Sequence, residues 1–137
     1  MKIFRPAGYP KRYFPMKTIK HDDLVLRLKD EFPVIIEELE DEAWTGLLHF
    51  EVSCLARHTQ QQIDEGNKKE LTRCFESARQ FMLYGDEKVK NAMYVSYLEH
   101  LDFRDGRHRR QWAMKLMPQP LAKGYREIHE YLDTLGK

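Results

Sequence analysis

The chain has 137 residues, of which 42% are hydrophobic and 33% are charged. This length and composition are typical of one folded, soluble domain and exclude a disordered chain. The 23 Lys and Arg residues nearly balance the 22 Asp and Glu residues. Net charge therefore provides no overall attraction to nucleic acid or to an anionic membrane.

Two features bear on the compartment in which the protein works. Residues 1–17 lack the continuous apolar segment of a secretory signal, and no stretch approaches the ~20 apolar residues that span a bilayer. We therefore expect a cytoplasmic protein with no membrane partner. Cys54 and Cys74 form no Cys-x-x-Cys pair and fall on apolar helical stripes, which favours two buried thiols over a disulfide bridge.

Residues 1–19 are expected to form an extended arm, because Pro6, Pro10 and Pro15 forbid a continuous helix. Aromatic and basic residues alternate along it: Phe4, Tyr9, Tyr13 and Phe14 with Lys2, Arg5, Lys11, Arg12 and Lys17. Such a mixture suits stacking on a nucleic acid and neutralising its charge. The alternative is an arm whose aromatic rings pack on the protein body while its charges face water.

Residues 20–137 are expected to form a single helical domain, because apolar residues recur there at helical spacing. Asp22 is a candidate N-cap for the first helix, which should end before Pro33, and a second short helix should start at that proline. The longest helix is predicted over residues 43–65. Its apolar stripe contains Trp44, Leu48, Val52, Leu55, Thr59 and Ile63.

Glycines and capping residues set the next boundaries. Gly66 should close the longest helix, and Asn67 with Glu70 resembles a capping box at the start of the following one. Gly85 should end that helix, and Asp86 should cap the next. The inward residues of this next helix are predicted to be Val89, Ala92, Met93, Tyr97, Leu98 and Leu101.

A charge run interrupts the helical pattern over residues 104–110. A short helix is predicted over residues 111–117, until Pro118 and Pro120 break it, and a last helix carries apolar residues from Leu121 onward. Connectors are short and no strand alternation is present. The sequence therefore predicts an all-α protein, an antiparallel array of about six helices.

Residues able to catalyse a reaction or hold a metal form no recognisable pattern. Helical metal sites favour His-x-x-x-His or Glu-x-x-His spacing. No pair with such spacing occurs among His49, His58, His100, His108 and His129. The nucleophile-elbow pattern and a Gly-rich phosphate loop are also absent. We expect no catalytic residue, no metal site and no cofactor, although tertiary contact can assemble a site from distant residues.

Charge is unevenly distributed along the chain. Residues 30–51 contain eight acidic residues and no Lys or Arg. The densest acidic cluster comprises Glu37, Glu38, Glu40, Asp41 and Glu42. It suits association with a basic partner.

The opposite cluster comprises Arg104, Arg107, Arg109 and Arg110. It suits phosphate or an acidic protein. The alternative for each cluster is a solvated surface, with the two clusters facing one another across the fold.

Several motifs occur in a recognisable order over roughly residues 20–135. They are Leu47-Leu48-His49-Phe50, Leu55-Ala56-Arg57, Gly85-Asp86-Glu87-Lys88-Val89-Lys90-Asn91-Ala92, Val95-Ser96-Tyr97-Leu98-Glu99-His100-Leu101 and Leu116-Met117-Pro118-Gln119-Pro120-Leu121. This order resembles a family of small helical bacterial proteins that carries only a domain-of-unknown-function label. Such proteins resemble those encoded beside secreted polymorphic toxins, where a small neighbour commonly serves as the cognate immunity protein.

The most specific element of this resemblance starts at Gly85 and also has a structural explanation. Gly85 and Asp86 mark a helix boundary, while Asn91 and Ser96 are small polar residues suited to helix packing. The shared motif is thus compatible with a role in the fold alone.

Our leading interpretation combines the helical scaffold, the segregated charges and the resemblance. It is a non-catalytic immunity protein that binds a cognate toxin through the charged clusters and occludes its active site or substrate cleft. Nucleic acid is the less favoured partner. The alternative is a nucleic-acid-associated or regulatory protein that uses the basic aromatic arm and residues 104–110.

Overall fold

A computed structural model describes residues 18–105 and 108–136, and the side chains of all of these except 105, 108 and 109. Most of the predicted arm, Arg107 and the side chain of Arg109 therefore lie outside the described residues. The described part is all-α, as predicted. Its strands are two residues long, Arg104–Asp105 (β1) and His108–Arg109 (β2), and they pair antiparallel.

Seven α-helices occur in the part of the chain that the structure describes. They are α1 (His21–Glu31), α2 (Ile36–Leu39), α3 (Leu48–Glu65), α4 (Lys68–Tyr84), α5 (Glu87–Ala92), α6 (Gln111–Met114) and α7 (Gln119–Leu135). A 3-10 turn at Pro33–Ile35 leads into α2. A π-helical turn at Met93–Tyr97 and a 3-10 turn at Leu98–His100 continue α5. None of these helices combines the length and apolarity needed to cross a lipid bilayer.

Helix α3 occupies the centre of the molecule and packs against α1, α2, α4, α5 and the turns that follow α5. Its buried side chains include Val52, Leu55 and Ile63, as helical periodicity predicts. Helix α4 packs alongside α3 after a short connector, and α7 packs against α4 and the turns at residues 93–100. The core is therefore a single cluster of apolar side chains around α3 and α4.

The predicted boundaries on either side of α4 are confirmed. Helix α3 ends at Gly66, and the Asn67 side chain accepts a hydrogen bond from the Glu70 N–H at 3.2 Å. The Asp86 carboxylate accepts one from the Val89 N–H at 2.9 Å. Each cap satisfies a backbone donor that the first turn of a helix leaves without a partner.

One capping prediction is wrong, and a second is confirmed only in part. Helix α1 begins at His21, and it is the Asp23 carboxylate, rather than Asp22, that accepts a hydrogen bond at its start, from the Lys20 N–H at 3.0 Å. The capping box at the start of α4 is half formed, because the Glu70 carboxylate turns away to bind other side chains.

The largest departure from the sequence prediction is at the start of α3. The helix begins at Leu48, whereas the apolar stripe predicts a start at residue 43. Gly46 has a φ of +87°, a left-handed conformation that glycine adopts without steric cost and that interrupts a helix. Consequently Trp44, which the stripe places inside, is 46% exposed.

The segment after Asp86 also departs from a regular α-helix. Its predicted inward residues are nevertheless all buried, from Val89 to Leu101. The π-helical turn adds a residue to one turn and brings both Ser96 and Tyr97 to the interior. The Tyr97 hydroxyl lies 3.0 Å from Thr59 Oγ1 of α3, so a buried hydrogen bond fixes this turn against the central helix.

Of the two C-terminal helices, α7 follows the prediction, whereas α6 is shorter than predicted. Helix α6 ends at Met114 rather than at residue 117. Gly124 lets α7 approach the core closely, since a Cβ atom there would lie 2.8 Å from Leu98 Cδ1. Leu121 is fully buried, but Leu135 is 62% exposed, so the last turn of α7 extends beyond the core.

Ile19, the last residue of the predicted arm, packs into the helical body and is buried. Its N–H donates to the Tyr84 carbonyl at 2.7 Å, and its own carbonyl accepts from the Asp86 N–H at 2.9 Å. The chain therefore enters the described domain by pairing with the junction between α4 and α5.

Candidate interaction surface

The predicted acidic cluster lies on one short stretch of surface, formed by α2 and the turns that follow it. Three of its exposed carboxylates form no hydrogen bond and no ion pair with any of residues 18–105 and 108–136. They belong to Glu37, Glu40 and Glu42. These three side chains are therefore the part of the cluster most accessible to an external partner.

The other two acidic side chains take part in the fold. The half-buried Glu38 carboxylate accepts hydrogen bonds from the Arg57 guanidinium of α3, with Nε at 2.7 Å. The Asp41 carboxylate accepts one from the Ala43 N–H at 2.9 Å, which stabilises the turn after α2. The cluster is thus anchored to α3 at one point and braced within its own turn at another.

Aromatic residues adjoin the acidic cluster. Trp44 stacks on Phe50, with ring centroids 5.0 Å apart and an interplanar angle of 20°. The Arg57 guanidinium that binds Glu38 lies 5.3 Å from the Phe50 ring centroid. Leu47, next to this stack, is 54% exposed. We call the five acidic residues together with Trp44, Leu47 and Phe50 the acidic–aromatic face; Arg57 links its two parts by contacting both Glu38 and Phe50.

A groove of about 640 Å³ opens beside this face. Trp44, Leu47 and Phe50 contribute its apolar lining, while Lys20 and Lys88 contribute positive charge. The groove is shallow and open to solvent. Its shape is therefore suited to a protruding side chain or loop of another molecule rather than to an enclosed small ligand.

Two histidines connect the groove to the surrounding helices. His21 of α1 is paired with the buried Glu51 carboxylate of α3. His49 Nδ1 lies 2.7 Å from the Ser96 hydroxyl of the π-helical turn. Glu51 and His49, two residues apart on α3, thus have different partners. Both contacts join separate elements to the first turn of α3.

The two arginines of the run whose side chains are described differ in exposure, and each binds a carboxylate of this chain. Arg104 donates to the Asp102 carboxylate from its backbone N–H at 2.9 Å and from Nε at 3.2 Å. These hydrogen bonds, the backbone one foremost, hold the pKa of Asp102 below its ordinary value. Arg110 is paired with Asp64 of α3, and its side chain is 18% exposed. Arg107 and the Arg109 side chain lie outside the described residues.

Both charged clusters are docked on α3 through separate ion pairs. Glu38 binds Arg57, and Arg110 binds Asp64, seven residues further along the helix or about 10 Å along its axis. Between them Gln60 donates to the Asp102 carbonyl and accepts from the Asp102 N–H, each at 2.8 Å. These ion pairs join each cluster to α3 rather than to the other cluster.

A third group of polar residues is buried between α3 and α4. His58 Nε2 lies 2.9 Å from a Glu70 carboxylate oxygen, and the Cys74 thiol completes a group whose ligand atoms lie within 4.8 Å of one another. His58 lies on α3, whereas Glu70 and Cys74 lie on α4. A search for metal-ligand spacing within one helix therefore does not reveal this group. The signal in the sequence is the four-residue interval between Glu70 and Cys74, which places both on one face of α4.

Comparisons with known proteins identify a family. No curated protein and no solved structure matches the chain. A family model described as a domain of unknown function, DUF7674, matches residues 25–132. The match runs from α1 into α7 and contains both charged clusters. Because it covers most of the chain, this protein belongs to the DUF7674 family of domains of unknown function.

Proposed function

We propose that this chain is a non-catalytic protein-binding protein, and specifically an immunity protein that neutralises a cognate bacterial toxin in the cytoplasm. It does so by occluding the active site or substrate cleft of the toxin. The observation that carries the proposal is the acidic–aromatic face, where an exposed tryptophan lies beside a cluster of carboxylates. The motif order that resembles proteins encoded beside polymorphic toxins supports the same class of partner.

The aromatic part of the face provides affinity. Tryptophan is enriched among the residues that dominate protein interfaces, because its large ring removes much apolar surface from water. Trp44 is already held by its stack on Phe50. Less conformational freedom is then lost on binding, so more of the contact energy contributes to affinity.

The acidic part of the face selects a basic partner. The exposed carboxylates of Glu37, Glu40 and Glu42 attract a positively charged surface during approach and penalise an acidic one. A toxin that acts on nucleic acid or nucleotides has a basic cleft for phosphate. Against such a toxin, these carboxylates occupy the positions of substrate phosphates.

The nucleic-acid alternative draws less support from the described residues. Arg104 and Arg110, the described arginines of the basic run, already bind carboxylates of this chain. We therefore expect no gel shift with nucleic acid at low salt. Binding at micromolar concentration or tighter, with a steep dependence on salt, would instead favour the alternative.

The decisive experiment uses the neighbouring reading frame. We expect it to encode a large secreted protein with a variable C-terminal domain that is toxic when expressed alone. Co-expression of this chain should restore growth, and the purified pair should form a complex. Absence of rescue and of a complex with that domain would refute the assignment as an immunity protein.

Charge reversal then tests the face. The triple variant Glu37→Lys, Glu40→Lys and Glu42→Lys leaves the structural contacts of Glu38 and Asp41 intact, so it should fold normally. Its association rate with the toxin domain should fall at least tenfold at low salt, and the difference should shrink as salt increases. The matched control reverses three exposed carboxylates elsewhere, with Glu65→Lys, Glu130→Lys and Asp133→Lys. Equal association rates for the two triple variants would remove the acidic cluster from the mechanism.

A single substitution tests the aromatic part. Trp44→Ala should weaken the complex about 30-fold, since truncation of an interface tryptophan costs about 2 kcal/mol. Tyr131→Ala is the control, because Tyr131 is an exposed aromatic residue on α7, outside the face. Dissociation constants from biolayer interferometry distinguish the two. An unchanged affinity for Trp44→Ala would show that the toxin binds another surface.

A further inference from the structure

The group formed by His58, Glu70 and Cys74 lies outside the acidic–aromatic face and is independent of the proposed function. His58 of α3 and Cys74 of α4 are buried, whereas the Glu70 side chain is 21% exposed. Their imidazole, carboxylate and thiol groups offer three ligand atoms that lie within 4.8 Å of one another. We propose that these residues form a binding site for a thiophilic divalent cation of the zinc class.

The donor set determines which cation fits. Imidazole nitrogen, carboxylate oxygen and thiolate sulfur are the three ligand types that Zn²⁺ takes in proteins, and a sulfur ligand disfavours Mg²⁺ and Ca²⁺. Cys74 follows Glu70 by four residues, so both extend from one face of α4, and His58 approaches from α3. The site therefore spans the interface between α3 and α4.

The distances require small side-chain movements. Ligand atoms about 2.0–2.3 Å from a tetrahedral zinc ion lie roughly 3.4 Å from one another. His58 Nε2 and the nearer Glu70 oxygen are 2.9 Å apart and must separate by about half an ångström, a change within the reach of side-chain torsions. The Cys74 sulfur lies at most 4.8 Å from each of the other two ligand atoms, so it too is within reach of the same position.

Charge balance favours a divalent ion at this position. A thiolate and a carboxylate together balance a charge of +2, so the ion and its two anionic ligands carry no net charge among themselves. The thiol proton leaves for solvent as the metal–sulfur bond forms. The fourth coordination position is left to water on the side where Glu70 is accessible.

Neighbouring side chains already orient the ligands. The Arg73 guanidinium donates to the other Glu70 oxygen at 2.6 Å and to the Glu31 carbonyl at 2.6 Å. The His58 and Phe32 rings pack in an edge-to-face arrangement, with centroids 5.6 Å apart. Such outer contacts fix the direction of metal ligands in known sites. They leave one carboxylate oxygen of Glu70 directed at His58.

Metal titration of the tag-free, chelator-treated protein tests the site. Calorimetry should show one Zn²⁺ bound per chain, with a dissociation constant of micromolar or below. Thermal melting should move to higher temperature with added Zn²⁺, because the ion binds only the folded chain and joins α3 to α4. The Co²⁺ complex should show a thiolate-to-cobalt charge-transfer band and the visible absorption of a tetrahedral ion.

Cysteine variants provide the matched control. Cys74→Ser and His58→Asn should weaken Zn²⁺ binding at least tenfold, whereas Cys54→Ser should keep the wild-type affinity, since Cys54 is equally buried but lies outside the group. Absence of stoichiometric binding to the wild type, or full affinity in Cys74→Ser, overturns the proposal. If the variants fail to fold by circular dichroism, the wild-type cobalt spectrum decides. A spectrum without the thiolate band also overturns the proposal.

Discussion

Gly46 provides a direct test of how the acidic–aromatic face is built. In the structure it has a φ of +87°, and the turn that contains it carries Trp44 and Leu47 to the surface. The apolar stripe instead predicts that residues 43–47 continue α3, with this glycine inside a helix. The substitution Gly46→Ala has opposite consequences in these two arrangements, so its effect on stability distinguishes them.

The magnitude follows from the backbone and from the space around it. A Cβ atom added at Gly46 meets nothing within 4 Å, so steric crowding contributes no cost. Left-handed backbone costs an alanine roughly 1–2 kcal/mol. Alanine also lowers the conformational entropy of the unfolded chain, which stabilises the folded state by about 0.4–1 kcal/mol. We therefore expect Gly46→Ala to destabilise the protein by about 1 kcal/mol, whereas the same change inside a helix stabilises it by about 1 kcal/mol.

Differential scanning calorimetry and urea denaturation measure this difference. With an unfolding entropy of about 2.1 cal/mol/K per residue, 1 kcal/mol lowers the melting temperature of a chain of this length by roughly 3–4 °C. Gly66→Ala is the matched positive-φ variant, since its φ is +72° and its surroundings are equally open. Gly136→Ala is the control with ordinary φ. A higher melting temperature for Gly46→Ala would refute the turn and restore the helical interpretation.

Three further predictions concern packing and protonation. Gly124→Val should lower the free energy of unfolding by about 1–3 kcal/mol in urea, because the new side chain overlaps the buried Leu98, and wild-type stability would contradict this close approach of α7. An NMR titration should give Asp102 a pKa below its ordinary value, owing first to its hydrogen bond from the Arg104 N–H. Since the folded pKa is the lower one, the contribution of Asp102 to stability is present above the ordinary aspartate pKa and is lost as pH falls through the folded value, and an unshifted titration would contradict the contact. Burial raises the pKa of Cys54 to about 12 and also encloses Cys74, so a disulfide reagent should label both only as fast as the chain unfolds; immediate labelling of the native protein would show that the thiols are accessible.

The sequence predicts well those features whose partners lie within one turn of the same helix. Asn67 and Asp86 each cap a backbone N–H three residues away, and both were identifiable as caps for this reason. Burial of Leu71 and Phe75 follows from the period of 3.6 residues alone. The acidic cluster stays together because its members are adjacent in sequence.

Features that depend on how helices dock are less predictable. A glycine inside a helix costs only about 1 kcal/mol, so the presence of Gly46 within the predicted helix does not by itself identify the turn. The contact of Glu38 with Arg57 joins residues far apart in sequence, and so does that of His58 with Glu70. Periodicity states which face of a helix is apolar, but not which polar side chains meet across two helices.

Among the described residues, the side chains of the two charged clusters differ in the partners that they already have within the chain. An acidic partner that approached Arg104 or Arg110 would compete with the carboxylates of Asp102 and Asp64 that already bind them. A basic partner that approached Glu37, Glu40 and Glu42 would displace only solvent, as far as residues 18–105 and 108–136 show. Exposed charges interact over about 10 Å at 0.1 M salt, so this unequal competition acts during approach as well as in the final complex. These contacts therefore support the proposal of a basic partner rather than an acidic one, even though the chain as a whole is nearly neutral.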